Sequence, residues 1–246
     1  MSSDVISCLQ LDRTIPSRMI LVKEINGCDG SFINSCVLSH CIKNKTSLFF
    51  ITLHNSINHY QNVGLKMNYN LQKYIDSGLI EFYNLGEEFV NNLANNKTNT
   101  LREYLETIRD RVVKKQAQSP NVNIIIDGVS HLFDLQFTLR AINQFCKEIF
   151  NLLRNRNSYL ICHCNEASED DVTCTMANLL SHKAHTVLEV KSLQSGWSTD
   201  VSGHLTVKYP SQKFDKEHMF SMDIKPTAYL FKLFDRGVKL LAPGTV

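Results

Sequence analysis

The fold of this chain is decided by residues 19–32, which read MILVKEINGCDGSF. The mostly apolar run 19–25 predicts a buried β-strand. A turn with two glycines, Gly27 and Gly30, separates this strand from a predicted helix. A strand, a glycine-containing turn and a helix form the arrangement in which a phosphate loop holds ATP. The stretch therefore predicts an α/β fold and marks the place to examine for nucleotide binding.

The turn lacks the side chains that a phosphate loop needs. In an alignment with G-x-x-x-x-G-K-[ST], Ile25 takes the first glycine position and Gly30 the second. Ser31 replaces the lysine that reaches the outer phosphates, and Phe32 replaces the hydroxyl that holds Mg²⁺. The simplest interpretation is a tight strand-to-helix turn, with Gly27, Gly30, Ser31 and Phe32 at a degenerate phosphate-loop position.

A second ATPase-like element lies about a hundred residues later, where Asn123-Ile124-Ile125-Ile126-Asp127 places a carboxylate after an apolar strand. In ATPases such an aspartate holds Mg²⁺. The alternative is an aspartate that caps the loop after a buried strand. Together the two elements predict an ATPase-type fold without catalytic residues, bound cofactor or metal, with Asp127 as a degenerate second element.

Short apolar runs alternate with helical patterns through the rest of the first 191 residues. Helices are predicted at 136–154 and along the stripe Leu101, Leu105, Ile108 and Val112, and a loop at the Asn-rich stretch 91–99. Strand–helix–strand succession implies a parallel sheet with right-handed crossovers. Besides 19–25, strands are predicted at 47–53, 79–83, 122–127, 159–163 and 185–190.

The pattern changes near residue 192, where short strands follow one another with little helix. Strands are predicted at 204–209, 219–224, 229–234 and 238–241, with a hairpin turn at Asp235-Arg236-Gly237. We therefore expect a single domain over 1–246: a lead-in at 1–17, an α/β core at 18–191 and an antiparallel extension at 192–246.

Composition excludes several classes of protein. The chain has 26 basic and 24 acidic residues, for a net charge of +2, which excludes a histone-like polycation. No apolar run approaches the roughly 20 residues that span a bilayer, and eight cysteines are too few for a disulfide scaffold. We expect no membrane association and a location in the cytoplasm, with the nucleus as a second compartment.

Other candidate sites are weaker. Cys162-His163-Cys164 suggests metal binding, but strand alternation separates His163 from the two cysteines, and no further ligand pair completes a tetrahedral set. Basic residues gather at a helix end over 109–115, where a solvated face is the usual explanation. Trp197 is expected to pack at a hairpin.

Five short motifs occur in an order that resembles the sixth subunit of the Elongator complex, over roughly residues 20–244. They are Asp29-Gly30-Ser31-Phe32; Ser56-Ile57-Asn58-His59-Tyr60 with Gly64; Leu180-Ser181-His182-Lys183-Ala184-His185; Gly196 with Asp200-Val201; and Gly203-His204-Leu205. The resemblance implies a RecA-like ATPase core without catalytic elements.

The resemblance also implies partners. A subunit of this family assembles with the fourth and fifth Elongator subunits into a hetero-hexameric ring, and the ring binds tRNA and supports wobble-uridine modification by the catalytic subcomplex. The tRNA-binding residues stay unidentified. One alternative is a degenerate RecA-like accessory protein of DNA recombination, and another is an active NTPase with an unorthodox phosphate loop.

Overall fold

The computed structural model of the chain describes residues 3–13, 16–97, 99–193, 196, 198–210 and 226–242. The described strands form one sheet in the order β3-β2-β4-β5-β1-β6-β7-β8-β9. Strands β1 to β6 are parallel, and β7, β8 and β9 join them as an antiparallel extension. The bounds are β1 Arg18–Ile25, β2 Ser47–Thr52, β3 Ile80–Asn84, β4 Val122–Asp127, β5 Tyr159–Glu166, β6 Thr186–Lys191, β7 Gly203–Lys208, β8 Thr227–Phe234 and β9 Gly237–Leu241.

Helices cover both faces of the sheet. Their bounds are α1 Ser3–Cys8, α2 Ser31–Asn44, α3 Ile57–Lys66, α4 Leu71–Asp76, α5 Leu85–Ala94, α6 Leu101–Gln118, α7 Leu139–Asn151 and α8 Val172–Ser181, with a short 3₁₀ helix at Val129–Leu132. A mostly parallel sheet flanked by helices and extended by C-terminal antiparallel strands is consistent with a RecA-like fold. The predicted fold class is confirmed.

The central strands are rich in apolar residues because both faces of each strand are covered. Met19 and Leu21 of β1 face a core layer formed with α6, α7 and α8. Ile20 and Val22 face a second layer, formed with α1, α2, α3 and β7 to β9. This burial on both sides explains why β1, β2 and β4 each contain three or four consecutive apolar residues rather than an alternating pattern.

The prediction of a loop over 91–99 is wrong for its first four residues. Helix α5 continues to Ala94, and its start is capped by the Asn84 side chain, which accepts a hydrogen bond from the backbone N–H of Glu87. The sequence pattern did not reveal the end of this helix, because Asn91 and Asn92 are typical of loops and few apolar residues mark the buried side of the helix. The predicted strand at 219–224 and Trp197 lie outside the described residues.

The segment before β1 contains the helix α1, which packs against the second core layer. Val5 and Leu9 are fully buried, and the Tyr209 hydroxyl donates a hydrogen bond to the Cys8 carbonyl over 3.0 Å. Arg18 ties the following turn to β1 by donating to the Gln10 carbonyl over 2.6 Å. Among the described helices, none combines the length and apolarity needed to cross a membrane.

Candidate functional site

The turn between β1 and α2 lies at the edge of the sheet where the parallel strands end, which we call the carboxyl edge. Asn26 and Gly27 both have positive φ, of 55° and 71°. The Asn26 N–H donates to the Glu166 carbonyl at the end of β5 over 3.1 Å. A Cβ on Gly27 would meet nothing within 4 Å, so glycine serves here for its backbone conformation. The predicted tight strand-to-helix turn is therefore present.

Two carboxylates of the chain occupy the N-terminal end of α2. Glu24 accepts a hydrogen bond from the Gly30 N–H over 2.8 Å, and Asp29 accepts from the Ser31 N–H over 2.7 Å and from its hydroxyl over 2.9 Å. Backbone N–H groups at a helix start are the donors that otherwise hold a phosphate. In this turn, donors that could hold a phosphate are already bonded to negative groups of the protein itself.

Gly30 is required by the close approach of Glu24. A Cβ at this position would lie 2.9 Å from the Glu24 carboxylate oxygen and 3.2 Å from a Val22 methyl group. Glycine therefore lets a buried carboxylate reach the helix start. The second glycine of the degenerate loop has a structural purpose that involves no nucleotide.

The same Glu24 oxygen lies 3.1 Å from His163 Nδ1. His163 is fully buried and Glu24 nearly so. Burial raises the pKa of Glu24, but the hydrogen bond and charge of His163 and the Gly30 N–H outweigh it, so the net shift is downward. Burial lowers the pKa of His163, but Glu24 outweighs it and the net shift is upward. Each group therefore favours the charged form of the other.

Asp127 sits at the end of β4 and is held by three donors. The Tyr60 hydroxyl donates to its carboxylate over 2.8 Å, the Asn55 N–H over 3.1 Å and the Asn34 amide over 3.2 Å. Asp127 is only 2% exposed. The carboxylate thus joins α2, α3 and the loop after β2. The sequence predicted the position of Asp127 at the end of a strand. Its hydrogen bonds are to other parts of the protein, as expected for the capping alternative.

Phe32 takes the motif position of the Ser or Thr whose hydroxyl would bind Mg²⁺, and its side chain packs against the antiparallel extension. Its ring stacks on Phe231 of β8, with centroids 4.9 Å apart. An apolar groove of about 180 Å³ runs beside it, between α2, α3 and the β8–β9 hairpin. Leu233 and Phe234 border the groove and are 43% and 45% exposed. The degenerate loop therefore adjoins an open apolar surface.

The His54 and His131 rings stack at the same edge, with centroids 4.7 Å apart and planes within 2°. His131 Nδ1 also lies 2.9 Å from an Asp134 carboxylate oxygen. Gly128 makes the stack possible, because a Cβ there would lie 2.6 Å from the His131 ring and 2.9 Å from His54. This cluster lines the loop that follows β4.

The Cys162-His163-Cys164 run separates as strand alternation predicts. Cys162 and Cys164 enter the core layer of α7 and α8, and His163 turns to Glu24 on the opposite face. Contact with Cys146 and burial raise the pKa of the Cys162 thiol. No group of three potential metal ligands comes together among the residues described.

The predicted solvated face at the end of α6 is wrong for one residue. Lys115 is 6% exposed, and its ammonium group donates to the Gly78 carbonyl over 2.6 Å. In the sequence Lys115 stands among other basic residues at a helix end, and such residues are usually exposed. The space between the ends of α4 and α6 admits a long side chain, which no local pattern reveals.

Several residues that carry the resemblance have structural tasks. Ser56 caps α3 by accepting from the His59 N–H, and His185 Nδ1 accepts from the Met19 N–H over 3.1 Å. A Cβ on Gly64 would lie 2.6 Å from the Tyr69 ring, and one on Gly203 2.5 Å from the Lys191 carbonyl. Tyr60 serves the Asp127 network.

Sequence reasoning missed Glu24 and Asn34 as site residues and considered His163 only as a metal ligand. One signal was available for Glu24, since two charged residues, Lys23 and Glu24, interrupt an otherwise apolar strand. Lys23 forms its own buried ion pair with Glu166, at 2.7 Å. Asn34 gave no signal, because a polar residue on a helix is expected at the surface.

Comparisons with known proteins agree with the motif order. The family model described as Elongation complex protein 6 matches residues 5–229. A relative named Elongator complex protein 6 from Drosophila melanogaster is 25% identical over 100% of this chain and 98% of its own length. Relatives of the same name from Mus musculus and Homo sapiens are each 24% identical, over 88% of this chain and 87% of their own lengths.

The match to the family model covers nearly the whole chain, including the degenerate loop, Asp127 and strand β7 of the antiparallel extension. It favours the Elongator interpretation over a recombination accessory protein. The chain belongs to the Elongation complex protein 6 family.

Proposed function

We propose that this chain is a non-catalytic subunit of the Elongator accessory ring. In this proposal it assembles with the fourth and fifth Elongator subunits into a hetero-hexamer. The ring binds tRNA and supports wobble-uridine modification by the catalytic subcomplex. Family membership supports the Elongator assignment. We place the protein in the cytoplasm, with the nucleus as a second compartment.

The non-catalytic role rests on one observation: carboxylates of Glu24 and Asp29 fill the helix start at which a nucleotide phosphate would bind. A phosphate brought there would lose these N–H donors and meet two negative charges. At about 4 Å, like charges repel by roughly 4 kcal/mol at an effective dielectric constant near 20. Ser31 and Phe32 supply no cation and no magnesium ligand to offset this repulsion.

The apolar groove beside Phe32 supports assembly with other subunits. Leu233 and Phe234 expose apolar surface next to the degenerate loop. Apolar surface of this kind is stabilised when a partner covers it. A subunit that completes a ring contributes by assembly, so its loss is expected to remove the ring rather than slow one chemical step.

Deletion of the gene for this protein tests the proposal. We expect wobble-uridine side chains to be strongly reduced, measured by mass spectrometry of digested tRNA nucleosides. A tagged copy should co-purify with Elongator subunits. Ser31→Ala in that copy should leave the modification intact, because no phosphate depends on the hydroxyl. Unchanged modified uridines in the deletion strain would refute the proposal.

A further inference from the structure

A second concave surface lies at the opposite edge of the sheet, where the parallel strands begin. It encloses about 530 Å³ between the ends of α2, α4 and α6. No described acidic residue lines it. Its lining includes three lysines and three serines: Lys45, Lys73, Lys115, Ser47, Ser77 and Ser119. We call it the amino-edge cleft.

Lys115 brings a buried positive charge to this cleft. Its side chain is packed between α6 and the turn before β3, and its ammonium group donates to the Gly78 carbonyl. An ammonium has three N–H donors, so this bond leaves donor capacity. Burial lowers the pKa of Lys115, and Glu81 acts against that shift. Glu81 also lies 3.9 Å from Arg111, so its charge is shared between two cations.

Lys45 and Lys73 add two exposed charges. Neither ammonium group has a hydrogen bond or ion pair with another residue in the described part of the chain. Lysines near helix C-termini commonly offset the helix dipole, for about 0.3–1 kcal/mol each. Each of the three lysines lies in the last turn or at the C-cap of its helix, so this explanation applies to every one of them taken singly. It does not account for a buried ammonium that shares a cavity with two other lysines and three hydroxyl groups.

We propose that the amino-edge cleft binds phosphate, with Lys45, Lys73 and Lys115 as its cationic partners and the hydroxyls of Ser47 and Ser119 as neutral donors. Phosphate oxygens accept from ammonium groups through charge-assisted hydrogen bonds. The phosphate comes either from a small oligophosphate or from the phosphodiester backbone of RNA. The cleft lies at the edge opposite the degenerate loop, so the two proposals stand or fall separately.

The test uses the full chain, with its co-purifying subunits where these are needed for solubility. Pyrophosphate is titrated by calorimetry into the native protein and into Lys45→Glu/Lys73→Glu. The control, Lys97→Glu/Lys147→Glu, makes the same change of charge at exposed sites outside the cleft. We expect the cleft variant to lose about tenfold or more in affinity, and the control to stay within about twofold of the native protein.

Unfolding curves of both variants guard against a folding artefact. If the charge reversal destabilises the chain, Lys45→Gln/Lys73→Gln takes its place, with Lys97→Gln/Lys147→Gln as its control. Equal pyrophosphate affinity in cleft and control variants would overturn the proposal. So would a native protein that fails to bind pyrophosphate at millimolar concentration.

A short fluorescent single-stranded RNA distinguishes the two phosphate sources. If RNA is the source, its binding weakens in the cleft variant and pyrophosphate competes with it. The slope of log affinity against log salt then becomes shallower by roughly 0.7 for each phosphate that the variant no longer neutralises. If a small oligophosphate is the source, RNA binding is the same in cleft and control variants while pyrophosphate binding differs. Either result supports the cleft.

Discussion

The two edges of the sheet handle charge in opposite ways. At the carboxyl edge, the carboxylates of Glu24 and Asp127 are buried and bonded to protein donors from three or more elements. At the amino edge, the ammonium groups of Lys45 and Lys73 stand at the rim of an open cleft without a protein partner among the described residues. The first edge is closed by its own side chains, and the second keeps its charges available.

This difference indicates where a ligand can bind when carboxylates of the chain itself occupy the start of α2. The helix N-terminus at the carboxyl edge still attracts anions, but the chain supplies them itself. The carboxylates of Glu24 and Asp29 thus bind the N–H groups at the start of α2 that would otherwise be free to hold an anion. Binding capacity then has to be sought where charges are left unpaired.

Loss of the Asp127 carboxylate should have the largest effect. Asp127→Ala removes the acceptor of the buried Tyr60 hydroxyl and one of the two acceptors of the Asn34 amide, so we expect a loss of about 3 kcal/mol in unfolding free energy. Denaturant titration measures it. The matched control is Asp134→Ala, whose exposed carboxylate pairs only with His131 and should cost less than about 1 kcal/mol. Similar losses in the two variants would contradict a closed carboxyl edge.

The two glycines of the turn should respond differently to alanine. Gly30→Ala drives a Cβ against Glu24 and Val22, and overpacking of this kind costs about 2 kcal/mol. Gly27→Ala meets open space and bears only the strain of positive φ, about 1 kcal/mol. Denaturant titrations rank the two variants. A larger loss for Gly27→Ala would mean that Glu24 does not hold the helix start.

Stability should depend on pH through the Glu24–His163 pair. The pKa of His163 is raised from its ordinary value of 6.5, so its contribution is complete below that pH and is lost as pH rises through the folded value. The pKa of Glu24 is lowered from 4.5, so its contribution is complete above that pH and is lost as pH falls. The pair therefore stabilises most between about pH 4.5 and 6.5.

His163→Gln isolates this effect in denaturant titrations between pH 4 and 9. We expect the destabilisation caused by the variant to be greatest in the mildly acidic window and to shrink above it. His182→Gln, at an exposed position after α8, serves as control. A destabilisation by His163→Gln that is constant across the range would show that the pair is neutral.

Removal of the amino-edge charges should have a smaller effect on stability. Lys45→Gln/Lys73→Gln breaks no side-chain hydrogen bond or ion pair among the described residues and removes only the interaction of two lysines with helix C-termini, so we expect the unfolding free energy to fall by less than about 2 kcal/mol. A loss of about 2 kcal/mol or more would show that these lysines serve the helix termini instead of a ligand.

Mg-ATP should give the smallest effect of all. Calorimetry on Lys45→Glu/Lys73→Glu, in which the amino-edge cleft no longer competes for the triphosphate, should detect no binding, because both the phosphate-loop lysine and the magnesium hydroxyl are absent and carboxylates occupy the helix start. Micromolar binding at one site would return the unorthodox NTPase to consideration.

Much of the fold was predictable because burial leaves a strong trace in sequence. Strand β4 was predicted with its observed bounds, 122–127, since its run of three isoleucines is typical of a strand covered on both faces. The change to antiparallel strands after β6 was signalled by short runs and a Gly237 turn. Helices with few apolar residues on their buried side were harder to predict, and the last four residues of α5 were predicted as a loop because of their asparagines.

The degenerate loop was also visible in sequence, because substitution of a motif residue changes chemistry whatever surrounds it. The hydrogen bonds that Glu24 and Asp127 make in the turn and beside it could not be predicted from sequence. Glu24 and His163 are 139 residues apart, and Asn34 and Asp127 are 93 apart. A polar residue in a strand or helix carries no mark of the partner that will satisfy it.

The sequence by itself therefore determined the strands, the α/β class and the absence of a phosphate-loop lysine, since these follow from local composition and spacing. Only the tertiary structure decided that carboxylates fill the helix start and that Lys115 is buried beside an open cleft. Such outcomes depend on which distant segments meet, and pairing energies in a buried site are fixed by geometry and not by residue type alone.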